Sequence, residues 1–291
     1  PFHGTHHARG QPHRGPRRIH RTSSRIHHGL ILMLEGVVNF RDVGGYLTAD
    51  GQRVRRGRVF RSDHLAGLTE SDVARLQALG VRHSLDFRGE AECKATPYAI
   101  PGVQRVALTI EPTVIARMQA LVVQGIVPTT EETVDLMRET YRDFVNHNAA
   151  TYGRFLKHLL EQPTPQVFHC TAGKDRTGVA VGLLLKTVGV TRDAILADYL
   201  KSDIFGKNMV LQGSIEQGFM ESFGFMPNQA AVDALIGVDA VYLLASLDQI
   251  ETKWGGIEGY CDAAGVTAAM RTELSRLLTT DTDIVKHKKE I

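Results

Sequence analysis

The chain has 291 residues, 43% hydrophobic and 23% charged, enough for one large domain with a buried core. A formal net charge of +2 gives no strong argument for nucleic acid, and none is expected as a partner; no apolar run approaches the length that crosses a bilayer. Three cysteines, Cys93, Cys170 and Cys261, make neither a disulfide framework nor a metal-spacing pattern, so we expect a reducing, cytoplasmic setting, with export as an effector the other reading.

Residues 1–30 hold six arginines, seven histidines and no acidic side chain. They carry +6, which leaves −4 for the rest of the net +2. So few apolar residues cannot offset the entropy of ordering, and a disordered basic tail is expected. Three readings of it compete: an artefact of a start upstream of Met33, an Arg-rich targeting segment, or a His-rich metal tract. Residues 31–291 show no repeat or linker and read as a single domain.

Val59–Arg61 reads as a short strand. Thr69 is placed to cap a helix, with Asp72 at the reciprocal position, and Val73, Leu76 and Leu79 recur at helical spacing before Gly80. Val81–Phe87 and Val103–Ile110 read as strands, and strand-helix-strand order implies a parallel sheet with helical crossovers. The segment 111–147 carries two apolar stripes. One is Val114, Met118, Leu121 and Val122; the other is Val134, Met137, Tyr141 and Phe144, with a turn at Ile126–Thr130. Two packed helices are the plain reading, and a lid over a site is the sharper one, since long insertions in compact domains are often functional. Helix Tyr152–Leu160, strand Gln166–Phe168, a helix capped by Thr191, helix Ala240–Trp254 stopped by Gly255, and two shorter helices complete the chain. Met209, Met220 and Met226 read as core fillers.

The chemistry is concentrated in Val167-Phe168-His169-Cys170-Thr171-Ala172-Gly173-Lys174-Asp175-Arg176-Thr177-Gly178, followed by an apolar helix. A strand-loop-helix junction aims backbone N–H groups and the positive helix end at one anion. A cysteine at its start becomes a stabilised thiolate, and an arginine after five residues can grip two phosphate oxygens. Cys170 and Arg176 have that spacing. Thr171, Ala172 and Gly173 would line the cradle, Gly173 allowing close backbone approach. Thr177 could donate to the sulfur, and His169 could brace the loop. Asp175 could protonate a leaving oxygen and later activate water. Lys174 would add a second cation at the mouth, suited to a substrate with more than one phosphate.

The run His169–Gly178 resembles the signature loop of the protein tyrosine phosphatase superfamily, in the Gly-Lys-Asp-Arg-Thr-Gly form of its atypical bacterial branch. Asn39-Phe40-Arg41-Asp42-Val43-Gly44-Gly45-Tyr46, Val59-Phe60-Arg61-Ser62-Asp63 and Leu85-Asp86-Phe87-Arg88 are similar to motifs of that branch, as is Tyr242–Gly265 to its closing helices. The resemblance implies an α/β fold of that superfamily: a mostly parallel central sheet flanked by helices, with a helix-rich C-terminal part. It implies hydrolysis of phosphotyrosine, phosphoserine or phosphothreonine and phosphoinositides through a phosphocysteine, without metal. It also implies that Asp175 is the acid within the loop, that Asp86 is a second functional aspartate near the pocket, and that Arg61, Asp63 and Arg88 stand at the rim. Structural ion pairing is the competing reading for Arg61–Asp63 and Asp86–Arg88. The rival functions are a phosphoinositide or inositol-phosphate phosphatase, from another class an arsenate reductase or sulfurtransferase, and from a third a phosphate-binding module without catalysis.

Overall fold

The computed structural model describes residues 34–124, 126–203 and 228–280, together with positions 217, 220, 221 and 224. The basic tail, Met209 and Met226 lie outside the described residues. In chain order the strands are β1 (Arg41–Asp42), β2 (Arg53–Val54), β3 (Val59–Ser62), β4 (His83–Asp86), β5 (Gln104–Ala107), β6 (Gln166–His169) and β7 (Thr279–Thr280). The helices are α1 (Glu70–Ala78), α2 (Glu90–Ala95), α3 (Thr113–Val123), α4 (Thr130–His147), α5 (Ala149–Glu161), α6 (Asp175–Thr187), α7 (Arg192–Leu200), α8 (Gln229–Ile236), α9 (Ala240–Trp254), α10 (Ile257–Ala263) and α11 (Ala268–Leu278).

The central sheet runs β1-β3-β6-β4-β5, parallel throughout except for the edge strand β1. Alternation along the strands sends side chains to two cores. Phe60 and Val167 face a smaller cluster with Phe40, Leu76 and Val81 beneath α1. Leu85 and Phe168 face the larger one, filled from α4, α5, α6 and α9 by Tyr141, Phe155, Leu184 and Leu247. A second sheet, β2 with β7, pairs Val54 with Thr279 and ties the last described strand to the first third of the chain.

Local signals mark several boundaries. Thr69 accepts from the Asp72 N–H while Asp72 accepts from the Thr69 N–H, the reciprocal cap expected for α1. Thr129 and Glu132 make the same arrangement at the start of α4. Gly255 ends α9 in the left-handed region at φ 72°. Thr191 occupies the N-cap position of α7, but its side chain makes no capping bond. Strands β1, β2 and β7 have two residues each, and α8 lies in the C-terminal part expected to be helix-rich. Met220 is 48% exposed, which overturns its reading as a core filler. Among the described residues no single helix is long and apolar enough to cross a membrane.

Candidate active site

β6 ends at His169 and α6 begins at Asp175, so Cys170–Lys174 form the turn at the carboxyl ends of the parallel strands, where helix dipoles favour an anion. Four consecutive carbonyls of this turn are held from outside it. Cys170 O accepts from His169 Nδ1 at 3.1 Å, and Thr171 O from the His64 N–H at 2.9 Å. Asn39 Nδ2 donates to Ala172 O at 3.1 Å and Gly173 O at 2.9 Å, and Arg61 Nη2 adds a bond to Gly173 O at 2.6 Å. No peptide bond among the described residues is cis, so each N–H points away from the carbonyl of its own peptide unit. The N–H groups of Thr171, Ala172, Gly173 and Lys174 therefore turn to the inside of the loop. None of them donates to a described residue.

Gly173 makes this turn possible. Its φ is +64°, and a Cβ there would lie 2.2 Å from Ser62 O and 2.6 Å from the Asp63 nitrogen. The loop is thus pressed against the end of β3, with Cys170 1% exposed.

Arg176, in the first turn of α6, faces the same region. Its Nη1 and Nη2 meet Glu92 Oε2 and Oε1 at 2.5 and 2.8 Å, and Nη1 also reaches Ile110 O at 3.1 Å. Burial works against its charge, but the Glu92 hydrogen bonds and the neighbouring Cys170 outweigh burial and raise its pKa. The Nε edge bonds no described residue and is left for an anion. The Thr171 hydroxyl also donates to Glu92. Thr177 Oγ1 is buried without a hydrogen-bond partner among the described residues, an orphan donor at the loop-helix junction.

His169 is fully buried between two partners. A carbonyl can only accept, so Nδ1 carries the proton shared with Cys170 O, and Nε2 accepts from the Tyr98 hydroxyl at 2.6 Å. Burial pushes its pKa down to about 4 although Asp86 stands 3.8 Å away. Asp175 is partly exposed and accepts from the Tyr141 hydroxyl at 2.5 Å.

The other expected residues sit elsewhere. Lys174 is not a free cation at the mouth: it is 3% exposed and donates to Leu235 O at 2.8 Å and Gly237 O at 2.9 Å, at the end of α8. Asp86 and Arg88 are not open to a pocket either. Both are buried and paired at 2.9 Å, with Arg105 joining Asp86 at 2.8 Å. Burial would raise the Asp86 pKa, but the Arg88 hydrogen bonds overcome it and hold the carboxyl well below the usual range. Arg61 is fully buried rather than at the rim, bonded to Asp198 at 2.7 Å; burial and Arg41 push its pKa down to about 10. Asp63 accepts from the Val38 and Asn39 N–H groups at 3.1 and 3.2 Å, which fixes the segment that carries the Asn39 amide.

Several residues of the site escaped the sequence reading. Glu92 reads locally as a helix-start residue, and it does take the Gly89 N–H at 2.7 Å; nothing in its neighbourhood announces Arg176. Asp198, which gathers Arg41, Arg61 and Tyr46, reads as an ordinary position in a capped helix. Tyr141 reads as part of a core stripe.

The tyrosine phosphatase family profile matches residues 32–280. A protein of Cupriavidus necator classed as a tyrosine-protein phosphatase is 35% identical over 82% of this chain and 85% of its own length. The triple specificity protein phosphatase PtpB of Mycobacterium tuberculosis is 31% identical over 81% of this chain and 94% of its own. A solved phosphatase, Tk-PTP in its active form, covers 55% of this chain and 92% of that one at 15% identity, with a TM-score of 0.28, too low to bear on the site.

Proposed function

The chain belongs to the tyrosine phosphatase family, whose members hydrolyse phosphate esters with a cysteine nucleophile, and from that premise we propose that it acts first on phosphotyrosine in proteins, through Cys170. The observation that carries the reading is the loop with four carbonyls tied outward and four N–H groups left inward, closed by Arg176. Such a cradle fits the three terminal oxygens of a phosphate monoester and needs little rearrangement to do so.

In the first step the Cys170 sulfur attacks phosphorus. The S–P bond forms as the P–O bond to the leaving group breaks, and Asp175 gives that oxygen its proton. In the second, water attacks phosphorus, Asp175 takes a water proton, and the S–P bond breaks to return the thiolate and inorganic phosphate. The orphan hydroxyl of Thr177 supports a role as donor to the departing sulfur. His169 would hold the Cys170 carbonyl and so the start of the loop.

Substrate choice follows from what Lys174 is doing. A lysine spent on two carbonyls of α8 offers nothing to a second phosphate, which favours a monophosphate over a polyphosphorylated inositol ring. PtpB is named for triple specificity, and for this chain we place phosphoserine, phosphothreonine and phosphoinositides as secondary substrates. The thiol-redox rival would need a second cysteine near Cys170. Cys261 lies 3.6 Å from Thr187 at the far end of α6, about 18 Å of helix away. The Cys93 sulfur meets Arg105 at 2.9 Å, and burial together with Asp86 raises its pKa. In the segment 111–147, α4 is built into the core through Met137, Tyr141 and Phe144, and α3 packs there as well through Val114 with Met118 buried, which supports the reading of two packed helices over that of a lid. The reducing setting that three unpaired thiols suit supports a cytoplasmic placement.

The deciding experiment measures phosphate release from a phosphotyrosine peptide and a phosphoinositide panel, with Cys170→Ser as the blank. The peptide is expected to be the better substrate and Cys170→Ser inert while still binding phosphate. Turnover that survives Cys170→Ser would sink the mechanism, and lipid turnover above peptide would sink the substrate order.

A further inference from the structure

Asp175 is held by a directional chain of buried hydroxyls. The Tyr141 hydroxyl, from the middle of α4, meets Asp175 Oδ1 at 2.5 Å, and the Tyr199 hydroxyl, from the end of α7, meets that of Tyr141 at 2.6 Å. A tyrosine has one hydroxyl proton, and Tyr141 must use it on the carboxylate, so Tyr199 donates to Tyr141. Lys174 Nζ lies 3.5 Å from the same oxygen, Oδ1. The hydroxyl and the ammonium that reach Asp175 thus converge on one oxygen, and no described residue bonds Oδ2. Both tyrosines are buried, 0% and 1% exposed, beyond the reach of a substrate.

The signature segment itself makes room for this chain. A Cβ on Gly178 would lie 2.9 and 3.0 Å from two ring carbons of Tyr199. The glycine two positions after Arg176 therefore admits the tyrosine ring against the first turn of α6. Ser246 Oγ, from α9, donates to Tyr141 O at 2.7 Å, and the Tyr141 ring packs between those of Phe144, Tyr199 and Tyr242. The hydroxyl is aimed by surrounding structure that has no free rotamer to give it.

Resting on the assignment of Asp175 as the acid, we propose that Tyr141, oriented by Tyr199, is a positioning residue for the leaving-group step: it fixes Oδ1 and so makes Oδ2 the oxygen that delivers the proton. Its hydroxyl takes no part in bond making. The proton passes from Oδ2 to the leaving oxygen as the P–O bond breaks, while the Tyr141 O–H stays on Oδ1 throughout. A carboxyl free to rotate would present Oδ2 to the substrate only part of the time, and the loss falls on substrates whose leaving oxygen most needs a proton.

The test compares kcat/KM, which reports steps through departure of the leaving group, on aryl phosphates of graded leaving-group basicity. Tyr141→Phe keeps the ring and removes only the hydroxyl. We expect kcat/KM for phenyl phosphate to fall about tenfold, a part of the roughly 10²–10⁴ that a general acid supplies. For a nitrophenyl ester it should fall less than about threefold, with inhibition by inorganic phosphate unchanged. Tyr199→Phe should steepen the same dependence by less, and serves as the second variant should Tyr141→Phe fold poorly. An equal fall for every ester, or none for phenyl phosphate, overturns the proposal. Asp175→Asn separates the two claims. A steep leaving-group dependence there with a flat one in Tyr141→Phe defeats only the positioning role, whereas a flat one in Asp175→Asn defeats the assignment of Asp175 as well.

Discussion

Glu92 grips Arg176 end-on through both carboxylate oxygens, at 2.5 and 2.8 Å, and leaves the guanidinium's Nε edge unbonded. Burial would raise the Glu92 pKa, but the bonds from Arg176 and Thr171 bring it below the usual carboxylate value. A planar fork held at one end has its other edge set in direction, which is what a phosphate needs. Glu92→Ala should raise KM and the inhibition constant of phosphate, lowering kcat/KM by about 10- to 100-fold, the worth of charge-assisted hydrogen bonds. Glu92→Gln should lose less. Tighter phosphate binding in Glu92→Ala would mean instead that the carboxylate occupies the anion's own place.

Asp86 is a structural anchor. It accepts from Arg88, Arg105 and the Arg88 backbone N–H, just before the helix α2 that carries Glu92. Asp86→Asn leaves a buried guanidinium short of its counter-ion and should cost about 3 kcal/mol in denaturant unfolding. Folded enzyme should keep its leaving-group dependence. Loss of turnover at unchanged stability would make Asp86 a functional aspartate of the site instead.

His169 makes stability depend on mild acid. Its folded pKa of about 4 lies below the unfolded value near 6.5, so the unfolded chain binds a proton first as pH falls. Stability should therefore decline from pH 6.5 down to about 4, by about 3 kcal/mol in all. Asp86 and Asp198, whose pKa values are depressed, stabilise above the unfolded carboxylate value, and their contribution is lost only at lower pH. In His169→Gln the slope between pH 6.5 and 4 should flatten while the steeper acid loss remains. An unchanged slope would show that His169 is protonated in the folded state.

Lys174 is expected to matter for docking α8 rather than for choosing substrates. Lys174→Met should lower the melting temperature and leave the ratio of peptide to phosphoinositide turnover unchanged. A selective loss of lipid turnover would mean that the ammonium leaves Leu235 and Gly237 for a second phosphate.

The sequence reading did best where the physics is local. Cys170 to Gly178 could be identified because a strand-loop-helix junction, a glycine and a fixed cysteine-arginine spacing are all contiguous. The capped helix α1, the two stripes of α3 and α4 and the stop at Gly255 were legible for the same reason. What it missed is carried by partners far apart in the chain. Arg61 and Asp198 are 137 positions apart, Arg176 and Glu92 are 84, and Tyr141 and Asp175 are 34. A charged or hydroxyl side chain looks the same in sequence whether it meets water or a buried partner. That is why Lys174, Arg61 and Arg88 read as exposed cations. The two-residue strands β1, β2 and β7 fall below the length at which alternation can be detected.

The loop's outward carbonyls have a consequence for how the chain acquires activity. Two of the four are held by Asn39, 133 and 134 positions upstream, and a third by the His64 backbone. A fragment from β6 to α6 contains every residue of the signature and still lacks the donors to three of those four carbonyls. Closing loops of that size is slow and entropically costly, so the anion site matures only when the first and middle parts of the chain have met. During refolding, phosphate affinity should appear after helical signal has recovered, which makes ligand binding a reporter of the last long-range contacts to form.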